Sequence, residues 1–322
     1  MVNVTEWLLS GEPYVEYNTR VNLLGQKATV PEVIIAKRKM FEDPKIQLLL
    51  EELRNWPGPI LNSHKSAGHP LHKLSFIADI GLTKEYPTVA IVGEKILMHH
   101  SDEGPFQVLV NIPKHFGGSG EDNWAWSLCD APVVAYSLAK IGHDSDPRVQ
   151  KAVAYLAGLA SENGWHCIVS KELGSFRGPG RKDDPCPYAT LVMLKMLAQF
   201  PEFSDSKAVR NGAECLLNLW ENSLKLHPYI FYMGNDFRKL KAPFVWYDLL
   251  HMFDVLSHFN WLKNDARLCE IADLIRSKAD DDGKFTAGSE WQPWRGWDFG
   301  QRKQPSRWLT YLTLRSLNRF QS

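Results

Sequence analysis

A proline recurs ahead of an apolar helical run six times along this chain, at Pro13, Pro70, Pro132, Pro187, Pro243 and Pro305, in steps of 57, 62, 55, 56 and 62 residues. A period of this size makes the chain a tandem array of one supersecondary unit rather than a single irregular core. Proline suits the first turn of a helix, because the N–H it lacks would have had no intrahelical partner there and its φ is already helical. Each proline therefore predicts a helix start, with apolar helical segments over Tyr14–Leu24, Leu71–Ile80, Val133–Ile141, Tyr188–Phe200, Phe244–Leu256 and Ser306–Leu317. The fourth residue after each proline is Tyr17, Leu74, Tyr136, Leu191, Tyr247 or Leu309, all with large apolar bodies, as a shared buried position requires.

More polar, amphipathic stretches alternate with these: Pro31–Arg54, Pro87–His100, Pro147–Ala160, Ser206–Trp220 and Asp265–Lys278. Several are followed by a glycine and then an aromatic, as at Gly104–Phe106, Gly164–Trp165 and Gly283–Phe285, which reads as a glycine C-cap with a hydrophobic anchor. Two helices per repeat sort into inner and outer layers, and six hairpins close a ring. The expectation is an all-α (α/α)6 toroid forming a single domain over residues 1–322. The last apolar segment lacks the polar face a terminal solenoid repeat needs, which favours closure.

Lys plus Arg equals Asp plus Glu at 37 each, so no overall charge excess points to nucleic acid. No run of about 18 apolar residues predicts a membrane span, and Met1–Ser10 has no signal-peptide pattern, so a cytoplasmic protein is expected, with peripheral membrane contact left open. Five cysteines without CxxC spacing argue against a disulfide framework or a structural zinc knuckle. The 12 Trp, 15 Phe and 10 Tyr are enough to fill a large core or wall a pocket for an apolar or ring-shaped ligand.

Loops ahead of the inner helices should share one mouth, where helix N-termini favour anions. Basic residues gather there: Arg177, Arg181 and Lys182 before Pro187, Arg238, Lys239 and Lys241 before Pro243, and Arg302, Lys303 and Arg307 around Pro305. Asp183 and Asp184 form a carboxylate pair beside these cations, readable as a catalytic acid, a divalent-metal clamp or helix N-terminal charges. Asp130 reads as an N-cap or as a carboxylate at the mouth. His64, His69 and His72 flank Pro70, with His69 and His72 placed to meet on one helical face as ligands or a proton relay, or to serve as polar rim or core residues. Trp246 and Trp308 are the leading candidates for aromatic walls near inner-helix starts. Asp280–Asp282 reads as a turn.

The repeat length, the proline-started helices and the segment Phe176–Tyr188 resemble the terpenoid cyclase and protein prenyltransferase superfamily of α/α toroids, most of all its small stand-alone repeat members. Phe176-Arg177-Gly178, Lys182, Asp184 and Cys186 match the order of a segment that supplies diphosphate-binding cations and zinc ligands in prenyltransferases, while Pro187 displaces Tyr188. The third zinc ligand of that family, a histidine at a later inner-helix start, has no counterpart here, and of the cyclase Asp-x-Asp-Asp motif only Asp183-Asp184 remains. The resemblance implies an isoprenoid-handling enzyme with an anionic ligand, and neither zinc nor magnesium is indicated beyond the weak ligand pair Asp184 and Cys186. Two alternatives stay open: a non-catalytic toroid binding an anionic metabolite or protein partner, and a carbohydrate-active (α/α)6 enzyme.

Overall fold

The structure, a computed structural model, describes residues 3–176, 183–225 and 236–321. Thirteen α-helices and one short hairpin occur among them. In chain order the helices are α1 (Val4–Leu9), α2 (Pro13–Asn18), α3 (Pro31–Glu42), α4 (Pro44–Leu53), α5 (Pro70–Asp79), α6 (Pro87–Leu97) and α7 (Ala131–Leu138). They continue with α8 (Pro147–Gly158), α9 (Pro187–Leu197), α10 (Lys207–Glu221), α11 (Leu249–Leu256), α12 (Ala266–Arg276) and α13 (Arg307–Gln321). Strands β1 (Val108–Val110) and β2 (Asn123–Ala125) pair antiparallel, with Leu109 opposite Trp124. The chain forms two compact units: Met1–Glu51 with Arg238–Phe244 and Asp248–Ser322, and Glu52–Phe237 with Val245–Tyr247. No helix among the described residues is long and apolar enough to cross a membrane.

In the first unit α13 packs on α2 and α11, which brings the first and last parts of the chain together. Polar bonds fix that contact: Asn22 Nδ2 donates to Tyr311 Oη at 2.8 Å, and Tyr311 Oη donates to Asn18 Oδ1 at 3.3 Å. Asp254 on α11 accepts from Arg315 and Ser316 on α13 at 2.8 and 2.6 Å.

In the second unit α5, α7 and α9 lie side by side, flanked by α8 and α10. Every residue of α7 and of α9 is buried, as an apolar helix enclosed on all sides must be. By contrast α10 buries one face, Val209, Ala213, Leu216, Leu217 and Trp220, and turns its polar residues outward. This unit therefore contains both the enclosed apolar helices and a one-faced amphipathic helix.

Proline marks helix starts, though less selectively than expected. Pro13, Pro70 and Pro187 are first residues of α2, α5 and α9, and Pro132 is the second residue of α7. Pro31, Pro44, Pro87 and Pro147 start helices of the more polar set too, since the missing N–H is harmless at any first turn. Pro305 stands two residues ahead of α13, where Ser306 Oγ accepts the Leu309 N–H at 3.1 Å. Pro243 starts no helix, which corrects the expected segment Phe244–Leu256. The Ala242–Pro243 bond is cis, and α11 begins at Leu249 after Asp248 accepts the His251 N–H at 2.9 Å.

The glycine-aromatic stops are corrected as well. α6 ends at Leu97 and α8 at Gly158, several residues before Gly104 and Gly164. These glycines instead close small turns with positive φ, +126° and +96°, in which Ser101 N–H donates to Pro105 O and Ser161 N–H to Gly164 O. The aromatic anchors hold: Phe106, Trp165 and Phe285 are buried. Two of them dock identically. Trp165 N–H donates to Thr190 Oγ1 and accepts at its carbonyl from Cys186 N–H, and Phe285 does the same with Thr310 and Ser306. Asp280–Asp282 is a turn, with Asp280 Oδ1 accepting the Asp282 and Lys284 N–H groups.

Candidate functional site

The segments entering α5, α7 and α9 meet at one end of the second unit. Ser127 pairs with Val169 as an isolated antiparallel bridge, and Cys186 N–H donates to Trp165 O, so three chain segments are joined just ahead of the helices. Asp130, at the cap position of α7, does not cap its own helix. Its Oδ1 accepts Ser127 N–H at 2.9 Å, and its Oδ2 accepts Ser127 Oγ–H at 2.6 Å and lies 3.0 Å from His64 Nε2. The carboxylate is enclosed, with 1% side-chain exposure against 22% for His64. An enclosed carboxylate that receives a ring N–H fixes the orientation and tautomer of the imidazole, leaving the more exposed ring to meet a reactant.

An aromatic face stands beside this pair. Tyr188, on the first turn of α9, stacks on Trp246 with centroids 4.1 Å apart at 26°, and the His64 ring lies 6.5 Å from Tyr188. Lys65 Nζ stands 5.0 Å from the Trp246 ring, within cation–π range. Both rings are buried, Tyr188 at 1% and Trp246 at 6% exposure, so they pack on each other in the interior beside the pair.

His69 and His72 do not join as a ligand pair or relay. His69 Nδ1 accepts the Leu71 N–H, capping α5, and its Nε2 donates to Pro59 O at 2.9 Å. Burial lowers its pKa. His72 Nε2 donates to the His64 carbonyl at 2.8 Å, which sets the backbone that carries His64. Complete burial pushes the His72 pKa down to about 3, so the ring is neutral.

Cys186 caps α9, its Sγ accepting Ala189 N–H at 3.4 Å. Hydrogen bonding from Cys129 lowers the Cys186 pKa against the effect of burial, with the Ala189 and Tyr188 N–H groups assisting, whereas the same sulfur contacts and burial push Cys129 well up. Among the described residues no group of three or more His, Cys, Asp or Glu side chains is arranged to hold a metal ion.

The basic mouth divides into different environments. Arg177, Arg181 and Lys182 lie outside the described residues. Asp183 is exposed and Asp184 half-buried, in the turn leading to α9. In the first unit, Arg302 and Lys303 are exposed, and Arg238 and Lys239 are half-buried. Two of the expected open cations are not open. Lys241 is 5% exposed with Nζ 5.1 Å from the Trp291 ring, and Arg307 donates from Nε to Trp7 O at 3.0 Å while its guanidinium stacks over Trp7. Trp308 is a core residue, stacked on Tyr311 and edge-on to Tyr14.

Two polar groupings have no counterpart in the sequence reading. On α5, α7 and α9, Asp79 accepts from Tyr136 Oη and pairs with Lys195 Nζ at 3.2 Å, and that ammonium also lies 4.2 Å from the Tyr136 ring. In the first unit Asp298 accepts from Tyr14 Oη, Ser306 Oγ and Trp308 N–H, while Glu12 nearby has its pKa raised by burial and by the Asp298 charge. Only the residue types were visible beforehand. Their meeting depends on packing between distant helices.

The two units thus define a predominantly helical protein with an Asp-supported histidine and an aromatic face at helix starts of the second unit. No family model matches the chain, and no curated protein matches it. A solved structure of a protein from Actinoplanes is 13% identical to it, with a TM-score of 0.43, over 97% of this chain and 90% of that one.

Proposed function

We propose that the chain is an isoprenoid-handling enzyme of the terpene cyclase or prenyltransferase type, built on a ring of helix hairpins. The reading rests on one observation above the others: His64, held by the buried Asp130, stands beside the stacked Tyr188–Trp246 face. A hydrocarbon chain that reaches these rings would pack on them, and the ring quadrupoles would stabilise positive charge that develops on it. His64 then accepts the proton whose loss ends a carbocation reaction, and Asp130 stabilises the imidazolium that results. Arg177, Arg181 and Lys182, in the segment that leads to α9, would meet the anionic head group. No step in this scheme passes through a metal.

Incubation with polyprenyl diphosphates of graded length, followed by mass spectrometry of extracted products, tests the reading. Wild-type protein should release a hydrocarbon or alcohol product, and His64→Ala should bind the same diphosphate while losing turnover by about 100-fold or more, the usual scale for a general base. Binding without product in the wild type would favour the non-catalytic toroid, and stabilisation by oligosaccharides alone would favour a sugar-active enzyme.

A further inference from the structure

At its C-terminal end α7 runs on into a π-helical turn, Ala139–His143, in which Gly142 takes φ +103° and which packs on α6. Lys84 N–H donates to Ile141 O at 2.8 Å and ties this turn to the segment ahead of α6. His143 closes the contact. It is 6% exposed, and its ring occupies the space of a missing side chain, since a Cβ on Gly93 of α6 would lie 2.6 Å from Nε2 and 3.2 Å from Cδ2. Nε2 is buried there and has no hydrogen-bond partner among the described residues. A neutral ring tolerates that position, because only a nitrogen lone pair faces the glycine methylene. A protonated ring does not, because it would bury an N–H and part of a positive charge without an acceptor. Burial first, and the Lys84 charge second, accordingly lower the His143 pKa. Beside the ring opens a cleft of about 450 Å³, with Lys84, Glu94, Ser145 and Asp146 in its lining. The charged groups acting on His143 are Lys84 ahead of α6, Glu94 on α6, and Asp146 and Arg148 at the start of α8. Arg148 stands 2.7 Å from Asp146 and 3.8 Å from Glu94, so both carboxylates border the space into which the ring could turn.

We propose that His143 is an acid-operated latch between α6 and the turn into α8: neutral, its ring seats against Gly93 and holds the two together, and protonated, it swings into the adjoining cleft and releases α6. In the cleft the imidazolium meets Glu94 and Asp146, which accept its N–H groups and compete with Arg148 for them. The sign follows from linkage. A ring that resists protonation while seated, and takes a proton freely once released, makes the seated state lose ground as pH falls through the ordinary histidine range near 6.5. Gly93 is the other half of the device, since any side chain there would deny the ring its seat. The latch lies on α6, α8 and the π-helical turn, and it stands whether or not the chain handles an isoprenoid.

The test uses the full chain, read by amide hydrogen exchange between pH 8 and pH 5 with rates corrected for the intrinsic effect of pH, and by NMR titration of the histidine rings. In the wild type, protection over Pro87–Leu97 should fall on acidification by up to about 30-fold at pH 5, the limit for a ring of ordinary pKa near 6.5 when released that takes no proton while seated. Protection over Pro187–Leu197 should not follow it. His143→Phe keeps an uncharged ring in the seat and should make α6 protection independent of pH over this range. Should that variant fold poorly by circular dichroism, Gly93→Ala tests the same seat, since displacing the ring should give weak α6 protection already at pH 8 and a His143 resonance that titrates near 6.5. A wild-type His143 that titrates at or above 6.5, α6 protection unchanged down to pH 5, or an equal loss in His143→Phe would overturn the proposal.

Discussion

His64 Nε2 lies 3.0 Å from Asp130 Oδ2, and through that contact a partly exposed imidazole is tied to a carboxylate enclosed by protein. Asp130 also receives both the N–H and the hydroxyl of Ser127, so its removal leaves three donors without their acceptor. Asp130→Ala should cost about 2–6 kcal/mol, since each of the two enclosed Ser127 donors costs about 1–3 kcal/mol when water cannot reach it. His64→Ala removes one donor only and should cost about 1 kcal/mol. Urea denaturation of both variants checks the ratio, and equal losses would show that Ser127 does not depend on the carboxylate.

Lys195 and Asp79 form a second buried pair, with side-chain exposures of 7% and 8%. Lys195→Met leaves the Asp79 charge without its cation and should destabilise the chain by about 3–5 kcal/mol. Adding Asp79→Leu should recover part of that loss, because an apolar pair of similar volume tolerates the site better than one stranded ion. A double-mutant cycle read by chemical denaturation should therefore show strong coupling. Additive losses would mean that the two charges do not depend on each other.

Acid sensitivity should centre on Asp254. Burial alone would raise its pKa, yet the Arg315 and Arg319 guanidinium groups, His258 and the Ser316 hydroxyl together hold it well below the usual carboxylate range. A depressed folded pKa means that the unfolded chain binds the proton more readily. The resulting stability is fully present above the unfolded carboxylate pKa, about 3.9, and is lost as pH falls through the folded value. Asp254→Asn should lower the melting temperature at pH 7 and flatten its decline in acid. A variant that keeps the wild-type acid slope would place that sensitivity elsewhere.

Glu12 should behave in the opposite sense. Burial first and the Asp298 charge second raise its pKa, so the folded chain holds this proton more tightly than the unfolded chain does. Its contribution is present below the unfolded glutamate pKa and is lost as pH rises through the folded value. Glu12→Gln, which never ionises, should raise the melting temperature relative to wild type at pH 8 and lose that advantage near pH 4. The same difference at both pH values would refute a raised Glu12 pKa.

The sequence made the helices more legible than their contacts. Apolar spacing located α5, α7 and α9 to within a few residues, because helices buried over most of their surface carry few polar residues to blur the pattern. Pro243 misled because proline fixes only φ. The stronger signal for α11 was Asp248, an N-cap residue directly before Leu249-Leu250. Asp130 and the histidines beside Pro70 were recognisable as residue types at helix entries. That Asp130 serves His64 and Ser127 instead of capping α7 depends on a bridge between Ser127 and Val169, which no periodicity encodes. Two of the cations, Lys241 and Arg307, stand against Trp291 and Trp7, ring partners distant in sequence that no periodicity announces.

The claim on which the rest depends is that the Tyr188–Trp246 face binds the hydrocarbon of an isoprenoid ligand. Isothermal titration calorimetry of a polyprenyl diphosphate against wild type and Trp246→Ala addresses it directly, with circular dichroism confirming that the variant is folded. Saturable binding to wild type, weakened at least 10-fold in Trp246→Ala, is the expected result, in line with the roughly 1–3 kcal/mol that loss of an aromatic stacking partner costs a ligand. Binding of equal strength in both proteins, or no binding to the wild type, would contradict the account.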